Sequence, residues 1–169
     1  IPAILAKLRS GGDDMGLRMV IALFEKHGFE VVAAQSIAGD LLAEAGAIGR
    51  HAPDREAEGD IEAAAHAARA IGAMDIGQGA VSVGGRVVAL ESAEGTDQML
   101  QRVAALRKSG RISARRRGVL VKVCKPQQDL RADLPSIGAN TVRLAAAAGL
   151  AGIAVEAGRS LVLGREETL

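Results

Sequence analysis

Short β-type apolar runs alternate along this chain with stretches whose apolar residues recur every third or fourth position. That alternation limits the possible folds more than any other feature. The run at 118–123 (GVLVKV) is continuous, as in a strand buried on both faces. Before it, Met99, Val103 and Leu106 mark a helix, with Thr96 or Asp97 as its expected N-cap; after it, residues 140–148 are helical. Leu17, Val20, Ile21 and Phe24 follow Asp13 and Asp14 at helical spacing and stop at Gly28. Ile61, Ala64, Ala65, Ala68 and Ile71 form a second stripe, small enough to pack closely. Residues 29–35 read as a strand, 36–45 as a short helix and 124–138 as a polar loop. Runs at 80–83 and 86–91 flank Gly84-Gly85, a two-residue hairpin turn, and runs at 152–157 and 160–163 suggest a second hairpin about Gly158-Arg159. The expectation is α/β: a mixed β-sheet with packed helices and two local hairpins.

Composition narrows the function classes. Lys and Arg number 21 against 20 Asp and Glu, a net charge of +1, which argues against a general nucleic-acid binder. With two Phe and no Trp or Tyr, the chain lacks the material for an aromatic stacking platform. One Cys permits no internal disulfide and fits a reducing compartment. No apolar run approaches the roughly 18 residues of a membrane-spanning helix. No P-loop, His-Glu-x-x-His or Gly-x-Ser-x-Gly is present, and His27, His51 and His66 have no metal-ligand spacing.

Two segments concentrate polar chemistry. The first, KPQQDLRADLP at 125–135, follows the GVLVKV strand, and ligands of open α/β sheets bind beyond the carboxyl ends of strands. Its acids, Asp129 and Asp133, and its cations, Lys125 and Arg131, together suit a divalent metal bound to phosphate oxygens. A surface loop with an internal Asp–Arg pair fits the same residues. The second, ESAEGTD at 91–97, runs from a strand end into a helix start. There Gly95 allows close approach to the backbone, Thr96 can cap or bind phosphate, and Glu94 and Asp97 favour a metal over a bare phosphate. Helix capping explains Thr96 and Asp97 equally well. Arg107, Lys108, Arg111, Arg115, Arg116 and Arg117 form a basic cluster, either a solvated loop or a contact for anionic lipid headgroups.

The segments LVKVCKPQQDLRADLPSIGANTV, LESAEGTDQML and MDIGQGAVSV together resemble the UDP-2,3-diacylglucosamine pyrophosphatases of lipid A biosynthesis, the type unrelated to calcineurin-like metallophosphoesterases. The resemblance covers nearly the whole chain. It implies a magnesium-dependent hydrolase that cleaves the diphosphate of UDP-2,3-diacylglucosamine to 2,3-diacylglucosamine 1-phosphate (lipid X) and UMP. In its Lys-Pro-x-Gln-Asp motif the catalytic aspartate corresponds to Asp129, with Lys125, Gln128, Arg131 and Asp133 alongside; the Glu-Gly-Thr-Asp motif corresponds to Glu94, Gly95, Thr96 and Asp97, and the Gly-Gln element to Gly77 and Gln78. Mg²⁺ ligands are then expected among Asp129, Asp133, Glu94 and Asp97. Substrate contacts are expected from Gln78, Gly95, Thr96, Lys122, Lys125, Gln128 and Arg131. Asp129 would hold the metal or orient or deprotonate water, roles left open at this point.

Members of the family have two domains. The match therefore implies a linker at 1–12 from an N-terminal domain, and a C-terminal catalytic domain at 13–169 lacking its last residues. An amphiphilic substrate implies a cytoplasmic protein, peripheral on the inner membrane, with residues 107–117 as a contact. A non-enzymatic phosphosugar- or nucleotide-binding module is the alternative, distinguished by binding indifferent to Mg²⁺.

Overall fold

The computed structural model describes residues 13–131 and 133–169; the linker expected at 1–12 lies outside the described residues. The first helix, α1 (Asp13–Lys26), ends as its sequence predicts. Gly28 takes φ +83°, its N–H reaches the Glu25 carbonyl, and the Phe29 N–H reaches the Phe24 carbonyl. This is a Schellman cap, and its usual apolar contact is the edge-to-face packing of Phe24 on Phe29, with centroids 5.8 Å apart. Closing the helix in this way removes Phe29 from any strand. Residues 29–33 have no regular structure, contrary to the strand expected at 29–35, because no neighbouring strand pairs with them. The helix expected at 36–45 is likewise replaced by one turn, α2 (Ala34–Ile37), a 3₁₀ turn (Gly39–Leu41), and an isolated bridge from Leu42 to Leu161.

The Ala-rich stripe forms α3 (Arg55–Ala73), capped by Asp54, whose carboxylate accepts the Ala57 N–H at 2.8 Å. There follow β1 (Gly79–Val83), β2 (Arg86–Leu90), α4 (Gly95–Lys108), β3 (Val119–Lys122), β4 (Ser136–Ile137), α5 (Ala139–Ala147), β5 (Gly152–Val155), β6 (Leu161–Val162) and α6 (Arg165–Thr168). The main sheet has the order β2-β1-β3-β5. The β1 strand is antiparallel to both neighbours, and β3 is parallel to β5, so the sheet is mixed as expected. The Gly84-Gly85 hairpin forms with both residues at positive φ, as a type I′ turn requires.

The second hairpin does not form. The β5 strand pairs with β3, while β6 pairs in parallel with β4 in a separate two-stranded sheet. A local reading joined 152–157 to 160–163 because Gly158 lies between them, but each run has a better partner elsewhere. The β4 strand itself arises inside the segment expected to be loop.

Strand alternation divides the core. Ala80, Val119, Val121 and Val123 face α3, where Ala64, Ala65 and Ala68 allow close approach. Val81, Val83 and Leu120 face the opposite way, onto Met99, Leu100 and Val103 of α4 and Ala145 of α5. Covered on both sides, β3 is buried along its whole length, which explains its continuous apolar sequence.

Candidate active site

The sheet topology brings the quoted motifs to one end of the molecule. Because β1 runs opposite to both β2 and β3, the start of β1 lies beside the ends of β2 and β3, and the end of β5 lies there too. Four segments therefore converge: Gly77-Gln78 before β1, Glu91–Thr96 after β2, Cys124–Asp133 after β3 and Glu156–Arg159 after β5. The Val123 N–H bonds the Gln78 carbonyl (2.9 Å), and the Cys124 N–H bonds the Glu156 carboxylate (2.9 Å). Asn140 in the first turn of α5 donates to Asp97 in the first turn of α4 (2.8 Å), so two helix N-termini with their exposed N–H groups sit side by side at this end.

The loop after β3 is organised by its own side chains. Gln128 is buried; its amide oxygen accepts the Lys125 N–H (2.9 Å) and its amide nitrogen donates to Asp133 (2.6 Å). The Asp133 N–H lies 3.3 Å from the Asp129 carbonyl, placing both acids on one turn. Asp129 receives both forks of Arg131, Nε at 3.0 Å and Nη2 at 2.8 Å, together with the Arg131 backbone N–H at 3.0 Å. These hydrogen bonds to the charged form hold the Asp129 carboxyl down at about 2 and push the Arg131 pKa upward. Arg131 also reaches Glu25 of α1 at 2.6 Å. The buried Lys125 ammonium pairs with Asp75 at 2.6 Å, and Gln127 donates to the Gly72 carbonyl at 2.9 Å, so the loop is tied twice to the end of α3.

The second segment is organised by Glu91, a buried carboxylate that sequence reasoning did not select. It accepts the Gln78 N–H (3.2 Å) and the Thr96 hydroxyl (2.5 Å), linking the Gly-Gln and Glu-Gly-Thr-Asp elements. The signal that could have found it is the GxG at Gly77–Gly79. A Cβ at Gly77 would come within 2.3 Å of the Glu91 carbonyl, and one at Gly79 within 2.8 Å of its carboxylate, so both glycines make room for Glu91. Thr96 is not the N-cap: Glu94 occupies that position without a side-chain cap, and Thr96 lies inside α4 with its hydroxyl donating to Glu91. Gly95 takes φ +77° with open space about it. The side-chain oxygen of Gln78 is buried without a hydrogen-bond partner.

Of the expected metal ligands, Asp129 and Asp133 share the first loop, while Glu94 pairs with Arg102 (2.7 Å) and Asp97 with Asn140. Among the described residues no three His, Cys, Asp or Glu side chains form a metal cage. Lys122 is buried on the Leu120 face of β3 and donates to the Ser136 carbonyl (3.2 Å), tying β3 to β4.

Cys124 is buried, and its thiol lies 3.1 Å from the Arg159 carbonyl. Desolvation pushes its pKa up to about 11. At pH 8 its thiolate fraction is about 10⁻³ against roughly a quarter for an unperturbed thiol. Reaction with a disulfide reagent at pH 8 is therefore expected to be at least about 10-fold slower than for free cysteine, the lower thiolate fraction being partly offset by the greater nucleophilicity of a more basic thiolate. Labelling at the free-thiol rate would show that the β3 end opens.

The basic cluster lies elsewhere. Residues 111–117 precede β3 and so sit at the opposite end of the sheet, beside the Gly84-Gly85 turn, where Arg116 contacts the Gly84 carbonyl (3.3 Å). Arg107, expected among the lipid contacts, instead commits its guanidinium to the carbonyls of Ser113, Arg116, Arg117 and Ala148, because it is the side chain that closes this loop onto α5. Among the described residues no helix is long and apolar enough to cross a membrane.

A family model described as the LpxI C-terminal domain matches residues 44–169, a span that includes all four converging segments. A protein of Caulobacter vibrioides named UDP-2,3-diacylglucosamine pyrophosphatase LpxI is 48% identical over 170 residues. That alignment takes in 100% of this chain and 60% of the length of its relative. The chain belongs to the LpxI C-terminal domain family.

Proposed function

We propose that the protein containing this chain hydrolyses the diphosphate of UDP-2,3-diacylglucosamine to lipid X and UMP in lipid A biosynthesis, and that the end of the sheet described above is the hydrolytic site. The observation that carries this reading is the convergence of three separated motifs at one sheet end, together with the name of the 48% identical relative. The two helix N-termini and the cations Lys125 and Arg131 offer positive potential to a diphosphate. Lys122, Gly95, Thr96, Gln78 and Gln128 complete or frame the same end.

The donor set suits Mg²⁺. This ion is held by one or two carboxylates plus substrate phosphates rather than by an all-protein cage, and Asp129 and Asp133 on one turn supply two hard oxygen ligands. Asp97 and Glu94, engaged with Asn140 and Arg102, act as outer groups. Bound there, the metal would supply Lewis-acid polarisation of the phosphate oxygens. Asp129 is a poor general base while Arg131 holds it near 2, since a base works best with a pKa near the working pH. The pairing therefore favours Asp129 as metal ligand and water-orienting group, with Arg131 able to turn to the substrate phosphates.

The chain covers 60% of its relative, and we assign the remaining contacts to the substrate, the acyl chains and uracil, to an N-terminal domain. The protein acts at the cytoplasmic face of the inner membrane, with the exposed Arg111 and Arg115 as headgroup contacts. The test is release of UMP from UDP-2,3-diacylglucosamine in mixed micelles by the full-length protein, titrated with Mg²⁺. Turnover that rises with Mg²⁺ and stops with a chelator is expected. Binding without hydrolysis, indifferent to Mg²⁺, would replace the hydrolase by a binding module.

A further inference from the structure

Among the described residues four helices end in the same cap. In α1, α4 and α5 the left-handed position after the helix is Gly28, Gly110 and Gly149, at φ +83°, +74° and +72°, and the next residue bonds back to the carbonyl five residues earlier. The cap of α3 has the same two bonds, Asp75 N–H to the Gly72 carbonyl (3.0 Å) and Ile76 N–H to the Ile71 carbonyl (3.0 Å), but here the left-handed residue is Asp75, at φ +55°. Among the described residues it is the one non-glycine at positive φ. Glycine has no Cβ to strain there and is the usual choice, so an aspartate gives up stability of the turn. Strained backbone positions of this kind concentrate at functional sites.

The Asp75 side chain indicates what the turn gains. Its carboxylate lies 2.6 Å from the Lys125 ammonium across 50 residues of sequence, and the Lys125 side chain is only 8% exposed. An ammonium so far out of water needs an anionic partner to stay in place, and it carries three donors, of which Asp75 takes one. We infer that Asp75 is a positioning residue, whose left-handed backbone aims a carboxylate at Lys125 so that the ammonium stays inside the sheet end and presents its other donors to the substrate diphosphate. This inference rests on the diphosphate reading above for what Lys125 meets, but not for the pairing itself.

The test uses the full-length protein with Asp75→Gly and Asp75→Asn, both of which suit a left-handed position while removing the charge. If the residue served only the cap, Asp75→Gly would leave activity unchanged and leave or raise Tm. The expected result is an unchanged or higher Tm with kcat lowered about 10- to 100-fold and KM moved less than about threefold. Combined with Lys125→Met, Asp75→Gly is expected to add little further loss, since the two residues act as one unit. A readout independent of turnover is limiting acetylation followed by peptide mass spectrometry: Lys125 should be modified several-fold faster in both Asp75 variants. Unchanged labelling of Lys125 would overturn the inference, as would unchanged kcat in an active parent. If the parent failed to release UMP, the function reading would fall and the labelling alone would decide the role of Asp75.

Discussion

Asp129→Asn in the full-length protein is expected to lower Mg²⁺-dependent UMP release on the order of 10³-fold while the substrate still binds. The amide keeps the size of the side chain but loses the charge that Arg131 and a divalent cation both need. Arg131 donates to it through two side-chain nitrogens and its backbone N–H, so the substitution also loosens the guanidinium, which keeps its pairing with Glu25. The pH dependence follows from the same contacts. The Asp129 pKa is depressed to about 2, below its unfolded value of about 3.9. The Arg131 pairing therefore adds stability above the unfolded value, and that contribution is lost as pH falls through about 2. It is small, because the pair is solvent-exposed on the Arg131 side. In kinetics, Asp129 is ionised throughout the neutral range, so no acid limb between pH 5 and 8 should come from it in the free enzyme. A limb in that range that disappears in Asp129→Asn would mean the carboxyl titrates as a general base, and unimpaired turnover of the variant would remove Asp129 from the mechanism.

Asp60→Ala should cost at least about 3 kcal/mol of folding stability, from hydrogen bonds to a buried charged acceptor at about 1.5–3 kcal/mol each. Asp60 lies in α3, wholly buried, and holds the opposite end of the sheet. Its carboxylate accepts the Ser82 hydroxyl (2.7 Å), the Gly85 N–H (2.7 Å) and the Gly84 N–H (3.0 Å), satisfying the donors of the hairpin turn. Alanine leaves all three without this acceptor: the Ser82 hydroxyl is fully buried, while the Gly84 and Gly85 N–H groups lie at a half-exposed turn that water can partly satisfy. For a chain of this size the loss corresponds to a fall in Tm of about 6–12 °C, read by calorimetry or circular dichroism. Asp60→Asn should lose less, since its amide oxygen still accepts. A shift under about 2 °C for Asp60→Ala would show that the turn holds without this carboxylate.

Much of the fold was legible where local rules act alone. The GVLVKV run announced a strand covered on both faces, the Ala-rich stripe a closely packed helix, and Gly84-Gly85 a two-residue hairpin turn, because period, side-chain size and turn propensity are properties of neighbouring residues. Local reading failed where a segment's partner is remote. Phe29 looked like a strand residue but closes α1 by packing on Phe24. The runs about Gly158 looked like a hairpin, yet β5 and β6 are claimed by β3 and β4.

The same division holds at the candidate site. By itself the sequence determined which motifs are present, the balance of acids and cations in the loop after β3, and the resemblance those motifs carry. Only the tertiary structure decided that Gly77-Gln78, Glu91–Thr96 and Cys124–Asp133 meet, since one antiparallel strand, β1, sets its beginning beside the ends of β2 and β3. Tertiary structure likewise singled out Glu91 and Asp75. A carboxylate's importance depends on the donors it meets after burial, and those donors come from Thr96, Gln78 and Lys125, which no spacing rule connects to it.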